Sequence, residues 1–174
     1  MESPADFFEF QSTLEISTNK LWGGHFAVPS WVLEAFASSE DKRVVCQVND
    51  APEFQCAMLP VGDHTYVVSV NKKLRDHLKL KPGSKVDVKL RKDESVYGLP
   101  MPEEMAEVLA QDAEGNSLFH ALTPGKIRTL LYIAGNVKSA EKRIFRAIAI
   151  VNHLKANKGK IDYKQLNLDL KAEI

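Results

Sequence analysis

The 174-residue chain is 44% hydrophobic and 26% charged, apolar enough to bury a core, and its 23 basic and 23 acidic side chains leave no formal net charge. That balance excludes a global field that would gather nucleic acid or membrane. The absence of a bilayer-length apolar run, and of a basic-then-apolar leader over residues 1–10, predicts a cytoplasmic protein with no membrane insertion. Cys46 and Cys56, the only cysteines, make neither a disulfide framework nor a zinc site.

Residues 8–90 alternate apolar and polar positions in short, punctuated runs, the period of β-strands. Phe8, Phe10, Leu14 and Ile16 share one face of the first run, and Phe54, Cys56 and Met58 share one face of a later run. The two runs align without a gap, placing Glu9-Phe10-Gln11 over Glu53-Phe54-Gln55. At an offset of 42, Phe26-Ala27-Val28 lies over Val68-Ser69-Val70, and Val32 and Phe36 over Leu74 and Leu78. That second pair has the four-residue spacing of a helical turn. Val44, Cys46 and Val48 then lie over Val86, Val88 and Leu90. The common order predicts an internal duplication, with repeats over about 9–48 and 53–90, of a strand–strand–turn–strand unit. One such unit is too small and open-edged to stand alone, whereas two give six strands that can close a barrel.

The segment Leu78-Lys-Leu-Lys-Pro-Gly-Ser-Lys-Val-Asp-Val-Lys-Leu90, a short helix, a Leu-x-Leu-x-x-Gly turn and an alternating strand, resembles the swapped-hairpin barrels of AbrB- and MazE-type proteins. The resemblance implies a double-split β-barrel, here supplied by one chain, favouring a monomer or weak oligomer. AbrB-like barrels bind DNA through basic loops on a two-fold dimer. Lys72, Lys73 and Arg75 would suit that role, but the aligned Ser30, Trp31 and Leu33 would not, so symmetric DNA reading is not expected.

Residues 95–102, with one glycine and two prolines, read as a linker between a 1–94 β-barrel domain and a 103–174 helical domain. The expected fold class is therefore α+β, a duplicated six-strand-type barrel followed by a small helical domain. Beyond the linker the period becomes helical. Residues 102–112 bring Met105, Val108 and Leu109 together, and a short piece over 117–122 carries Leu118, Phe119 and Leu122. Thr123-Pro124 opens the next helix, with Ile127, Leu130, Leu131 and Ala134 inward. Ser139 caps the longest helix, whose expected buried stripe is Ile144, Ala147, Ile148, Val151 and Leu154. Gly159 ends it, and residues 161–170 form a last amphipathic stretch.

The runs Ala121-Leu-Thr-Pro-Gly-Lys-Ile-Arg-Thr-Leu-Leu-Tyr132 and Lys138-Ser-Ala-Glu-Lys-Arg-Ile144 resemble the YdeI/OmpD-associated family, whose helical part follows a barrel of unknown function in many members. Ala134-Gly135 and Ala140-Glu141 depart from that family's Ala-Lys and Thr-Arg pairs. The resemblance implies bacteriocin protection or association with an outer-membrane porin, neither of which defines a reaction.

Charge is unevenly spread. Residues 115–160 hold nine bases and the single acid Glu141, while residues 1–60 hold nine acids against three bases. Lys126, Arg128, Lys138, Lys142, Arg143 and Arg146 are the candidate contacts for nucleic acid or another anionic partner. Lys138, Lys142, Arg146 and His153 would run along one side of the last long helix. The same strip could instead dock on the acidic barrel or simply solvate the helix. Trp22 and His25, flanking Gly23-Gly24, could line a pocket, or the glycines could only turn the chain. No histidine pair has metal-ligand spacing, there is no Gly-x-Ser-x-Gly elbow or phosphate-cradling loop, and both cysteines read as buried and inert. No catalytic residue, metal or cofactor is therefore assigned. The first expectation is a non-enzymatic binding or adaptor protein, the second a nucleic-acid binder, and the third a small-molecule enzyme with its site in an interdomain cleft.

Overall fold

The computed structural model describes residues 7–17, 23–38 and 42–172, and the chain divides into two compact units, Met1–Glu94 and Ser95–Ile174. The protein is of mixed α+β class, two antiparallel sheets followed by helices.

In the first unit, β1 (Phe8–Thr13), β2 (Glu15–Ile16), β3 (Gly24–Ala27), α1 (Ser30–Glu34) and β4 (Arg43–Val48) come in that order. The same succession follows as β5 (Phe54–Ala57), β6 (Leu59–Pro60), β7 (Tyr66–Val70), α2 (Lys72–His77) and β8 (Lys85–Lys92). The strands make two four-stranded sheets, ordered β1-β8-β4-β5 and β2-β3-β7-β6. Each order is unchanged when every element is exchanged for its counterpart in the other succession.

Among the described residues there are thus eight short strands in two sheets, where the alternation predicts six strands closing one barrel. The difference arises at Leu14 and Met58, both buried, where the chain leaves one sheet for the other. The Leu14 N–H donates to the Ser84 carbonyl at 2.8 Å beside β8, yet Glu15 already pairs with His25 of β3. Likewise the Met58 N–H donates to the Lys42 carbonyl at 2.9 Å before Leu59 pairs with Val67. The expected first strand of each half is therefore split by a buried apolar hinge.

The alternation does place the core. Val86, Val88 and Leu90 of β8 point inward against Val44, Cys46 and Val48 of β4, with Phe26, Val32 and Val68 between the sheets.

The second unit contains α3 (Glu103–Gln111), α4 (Ala113–His120), α5 (Pro124–Gly135), α6 (Ala140–Ala156) and α7 (Tyr163–Lys171). Residues 95–102, read as a linker, belong to this unit, because Tyr97 and Met101 pack against its core. α4 starts four residues earlier than the apolar pattern suggests. Asp112 caps it, its carboxylate accepting the Gly115 N–H at 2.8 Å, and the glycine sits buried against α6. Ser139 caps α6 and Asp162 caps α7 in the same way.

Ile127, Leu130, Leu131 and Ala134 of α5 are all buried, as their spacing requires. The buried face of α6 is Ala147, Ile150, Val151, His153 and Leu154, because α6 is gripped by α3, α4 and α5 on that side. Ile144 and Ile148, expected inside, are 45% and 44% exposed. Among the described residues no helix is long and apolar enough to cross a membrane.

Candidate functional site

The basic strip of α5 and α6 does not form one phosphate-facing row. Arg143 is drawn into the fold: its Nε donates to Glu104 Oε1 of α3 at 2.9 Å, and its Nη1 donates to the Val137 and Lys138 carbonyls at 3.1 and 2.7 Å. Arg146 Nη1 donates to the Ile133 carbonyl at 2.8 Å. Both arginines therefore satisfy carbonyls at the C-terminal end of α5 and the turn after it, where the helix dipole is negative and backbone acceptors lack partners. His153, placed by spacing beside these cations, is buried. Its Nε2 accepts the Asp162 N–H at 3.0 Å, so Nδ1 carries the hydrogen and faces the Asp169 carboxylate at 3.5 Å. Lys126, Lys138 and Lys142 stay exposed and Arg128 half-buried, with no ion pair to any of the four among the described residues.

Two ion pairs that the spacing did not single out fix the helices. Arg143 holds Glu104, and Lys155 of α6 meets Asp112 at 2.6 Å. The Arg143 guanidinium foremost, and a backbone N–H, hold the Glu104 carboxyl below its ordinary range. Lys155 first and the Gly115 N–H second do the same for Asp112, and each cation is raised in turn by its acid.

Trp22 lies outside the described residues. His25 is half-buried on β3, its ring 3.5 Å from the exposed Glu15 carboxylate and its Nδ1 3.3 Å from the Gly23 carbonyl. The space over Gly24 is taken by the Arg75 side chain, so the backbone approach the glycines permit is already filled from within the chain.

A surface recess with largely apolar walls lies in the helical unit, at a place no sequence motif marks. Leu99, Pro100, Met101 and Pro102 form one wall, and Leu131, Tyr132, Gly135 and Asn136 of α5 and its exit form the other. The Glu104–Arg143 pair closes one side, and the volume is about 570 Å³. Tyr132 is 61% exposed on its rim. Gly135 keeps this wall close, since a Cβ there would stand 3.2 Å from Pro102 Cγ. The signal available in the sequence was Leu-Pro-Met-Pro itself, which reads as a spacer when its destination is unknown.

Nearby, the Tyr97 hydroxyl lies 2.8 Å from His120 Nε2, while His120 Nδ1 lies 3.0 Å from the Asn116 carbonyl. The carbonyl can only accept, so Nδ1 donates and the phenol donates to Nε2. That chain of bonds fixes residue 97 to α4. Among the described residues no group of three or more His, Cys, Asp or Glu side chains could hold a metal ion.

Residues 10–90 match the family described as a domain of unknown function, DUF1905, a span that contains most of both strand successions. No curated protein matches the sequence significantly.

Proposed function

We propose that the chain is a non-enzymatic binding or adaptor protein whose partner-facing surface is the groove between residues 99–104 and the end of α5. The observation that carries this reading is a recess of about 570 Å³ with largely apolar walls and an exposed aromatic rim at Tyr132. Exposed aromatic side chains beside a concave apolar surface are the usual anchors of recognition. The charged groups at its edge, Glu104 and Arg143, are engaged with each other. They shape the groove together with the exposed Glu103 at the start of α3.

On the likeness of residues 121–144 to YdeI/OmpD-associated proteins, we read that binding as serving bacterial stress or bacteriocin protection in the cytoplasm. We further read the β unit as a duplicated double-split barrel. Its support is the paired register: Phe10 opposite Val88 and Phe54 opposite Cys46, Ser12 opposite Val86 and Cys56 opposite Val44, with Phe26 opposite its own counterpart Val68.

A photo-crosslinking residue placed at Tyr132 in cells tests the binding reading. A discrete adduct that excess unmodified protein competes away, and that is absent when the probe sits at Lys160, is the expected result. Labelling indistinguishable between the two positions overturns it.

The second reading, nucleic-acid binding, draws on the exposed Lys126, Lys138 and Lys142. It requires salt-sensitive retardation of DNA or RNA that is lost in Lys138→Glu with Lys142→Glu.

A further inference from the structure

We propose that Cys46 and Cys56 are a peroxide-oxidisable dithiol, forming a reversible cross-strand disulfide at the β5 edge of the first sheet. The two strands are antiparallel, with Cys46 opposite Phe54 and Val44 opposite Cys56. The cysteines are thus diagonal neighbours on one face, and both belong to the same core cluster. The Cys56 thiol is near enough to perturb that of Cys46, and both thiols are free.

The two differ in access. Cys46 is fully buried, and Cys56, on the outermost strand, is half-buried. The neighbouring Cys56 thiol foremost, and burial second, push the Cys46 thiol up, so it keeps its proton. Cys56 is therefore the sulfur that meets an oxidant, and Cys46 the one that resolves the product.

The oxidant is a hydroperoxide. The Cys56 thiolate attacks one peroxide oxygen, the O–O bond breaks, and the departing hydroxide takes a proton to become water. The Cys46 sulfur then attacks the sulfenic sulfur. An S–S bond forms, the S–O bond breaks, and the hydroxyl leaves with the Cys46 proton as a second water. Two thiols are oxidised and one peroxide is reduced.

Diagonal neighbours sit about 7–8 Å apart at Cα, while a disulfide takes at most about 6.8 Å, so closing the bond draws β5 inward. A four-residue edge strand can give that much, and the resulting strain makes the bond easy to reduce.

The counterpart of Cys46 in the other succession is Val88 and that of Cys56 is Ser12, which makes Cys46→Val and Cys56→Ser the substitutions the fold already accommodates. Native protein is treated with a modest excess of hydrogen peroxide, then unfolded, alkylated and weighed. Loss of both thiols together is expected, with an intact mass lower by two hydrogens, and dithiothreitol restores both. In Cys46→Val, oxidation stops at a sulfenic acid on Cys56 that dimedone traps; in Cys56→Ser, Cys46 stays reduced. Survival of both thiols in the wild type, a mass gain of oxygen without loss of hydrogens, or a disulfide only between molecules overturns the proposal.

Discussion

Gly115→Ala adds one methyl group at the closest approach of α4 to α6. The new Cβ would overlap Val151 Cγ1 and stand 3.2 and 3.3 Å from Asp112 Cγ and Oδ1. Val151 is 1% exposed and β-branched, so neither rotation nor outward movement relieves the contact. Overpacking of this kind costs roughly 1–3 kcal/mol. Crowding Asp112 also weakens the cap it makes with the residue 115 N–H, typically a loss of about 1 kcal/mol. Against this, alanine in a helix gains about 1 kcal/mol over glycine. The losses win, leaving a deficit of about 1–3 kcal/mol. In a unit of this size each kcal/mol moves the midpoint by roughly 4–8 °C. Thermal unfolding followed by circular dichroism should therefore show a clear drop in Tm for the helical transition. Val151→Ala, which costs stability alone by leaving a cavity, should cost less in the Gly115→Ala background. A Tm equal to or above the wild type, or strictly additive losses, would refute the reasoning.

Acidification gives a second test. Glu104 and Asp112 have folded-state carboxyls lowered by their cations, so their stabilisation is present above the unfolded value near pH 4 and is lost as pH falls through the folded values. The helical unit should lose Tm below about pH 4, and Asp112→Asn should lower the neutral Tm while flattening that acid slope. His153→Leu keeps the volume but removes the acceptor of the Asp162 N–H, a loss of roughly 0.5–1.5 kcal/mol for one part-buried hydrogen bond. Amide exchange should quicken through α7, and unchanged protection there would count against the latch. Tyr97→Phe removes the bond to His120 and should release residues 95–99 to faster exchange while α5 keeps its protection. Arg143→Gln with Arg146→Gln should lower Tm through the lost carbonyl contacts at the end of α5; a drop in nucleic-acid affinity with no change in Tm would return them to the surface strip.

How far the sequence was legible follows from which physical signal each element leaves. The inward faces of β1, β4 and β8 were visible because burial on one side of a strand imposes period two, and Phe10, Val44 and Val88 all respect it. The break at Leu14 was not visible, because a strand that changes partner while staying extended keeps its alternation. In α6 the apolar residues run most of the way round, so the pattern allowed two faces. Contacts from α3, α4 and α5 chose the one holding Ile150 and His153 over the one holding Ile144 and Ile148. The groove was hidden for a related reason: Pro100 and Pro102 say only that no helix interior runs through them, and where an extended segment lies depends on what receives it.

The same reasoning decides what the basic strip is for. A charge count marks Arg143 and Arg146 as available to a phosphate, yet three backbone carbonyls at one helix end need donors, and these two guanidinium groups reach them. A group engaged in that way reaches an external anion only by giving up bonds the fold uses. The cations free of such bonds, Lys126, Lys138 and Lys142, lie at or near helix starts, where the positive end of the dipole already repels them, and nothing in the described residues draws them inward. Within the basic strip, anion binding therefore falls to those three lysines and the half-buried Arg128, and neutralising the lysines should weaken it without altering Tm.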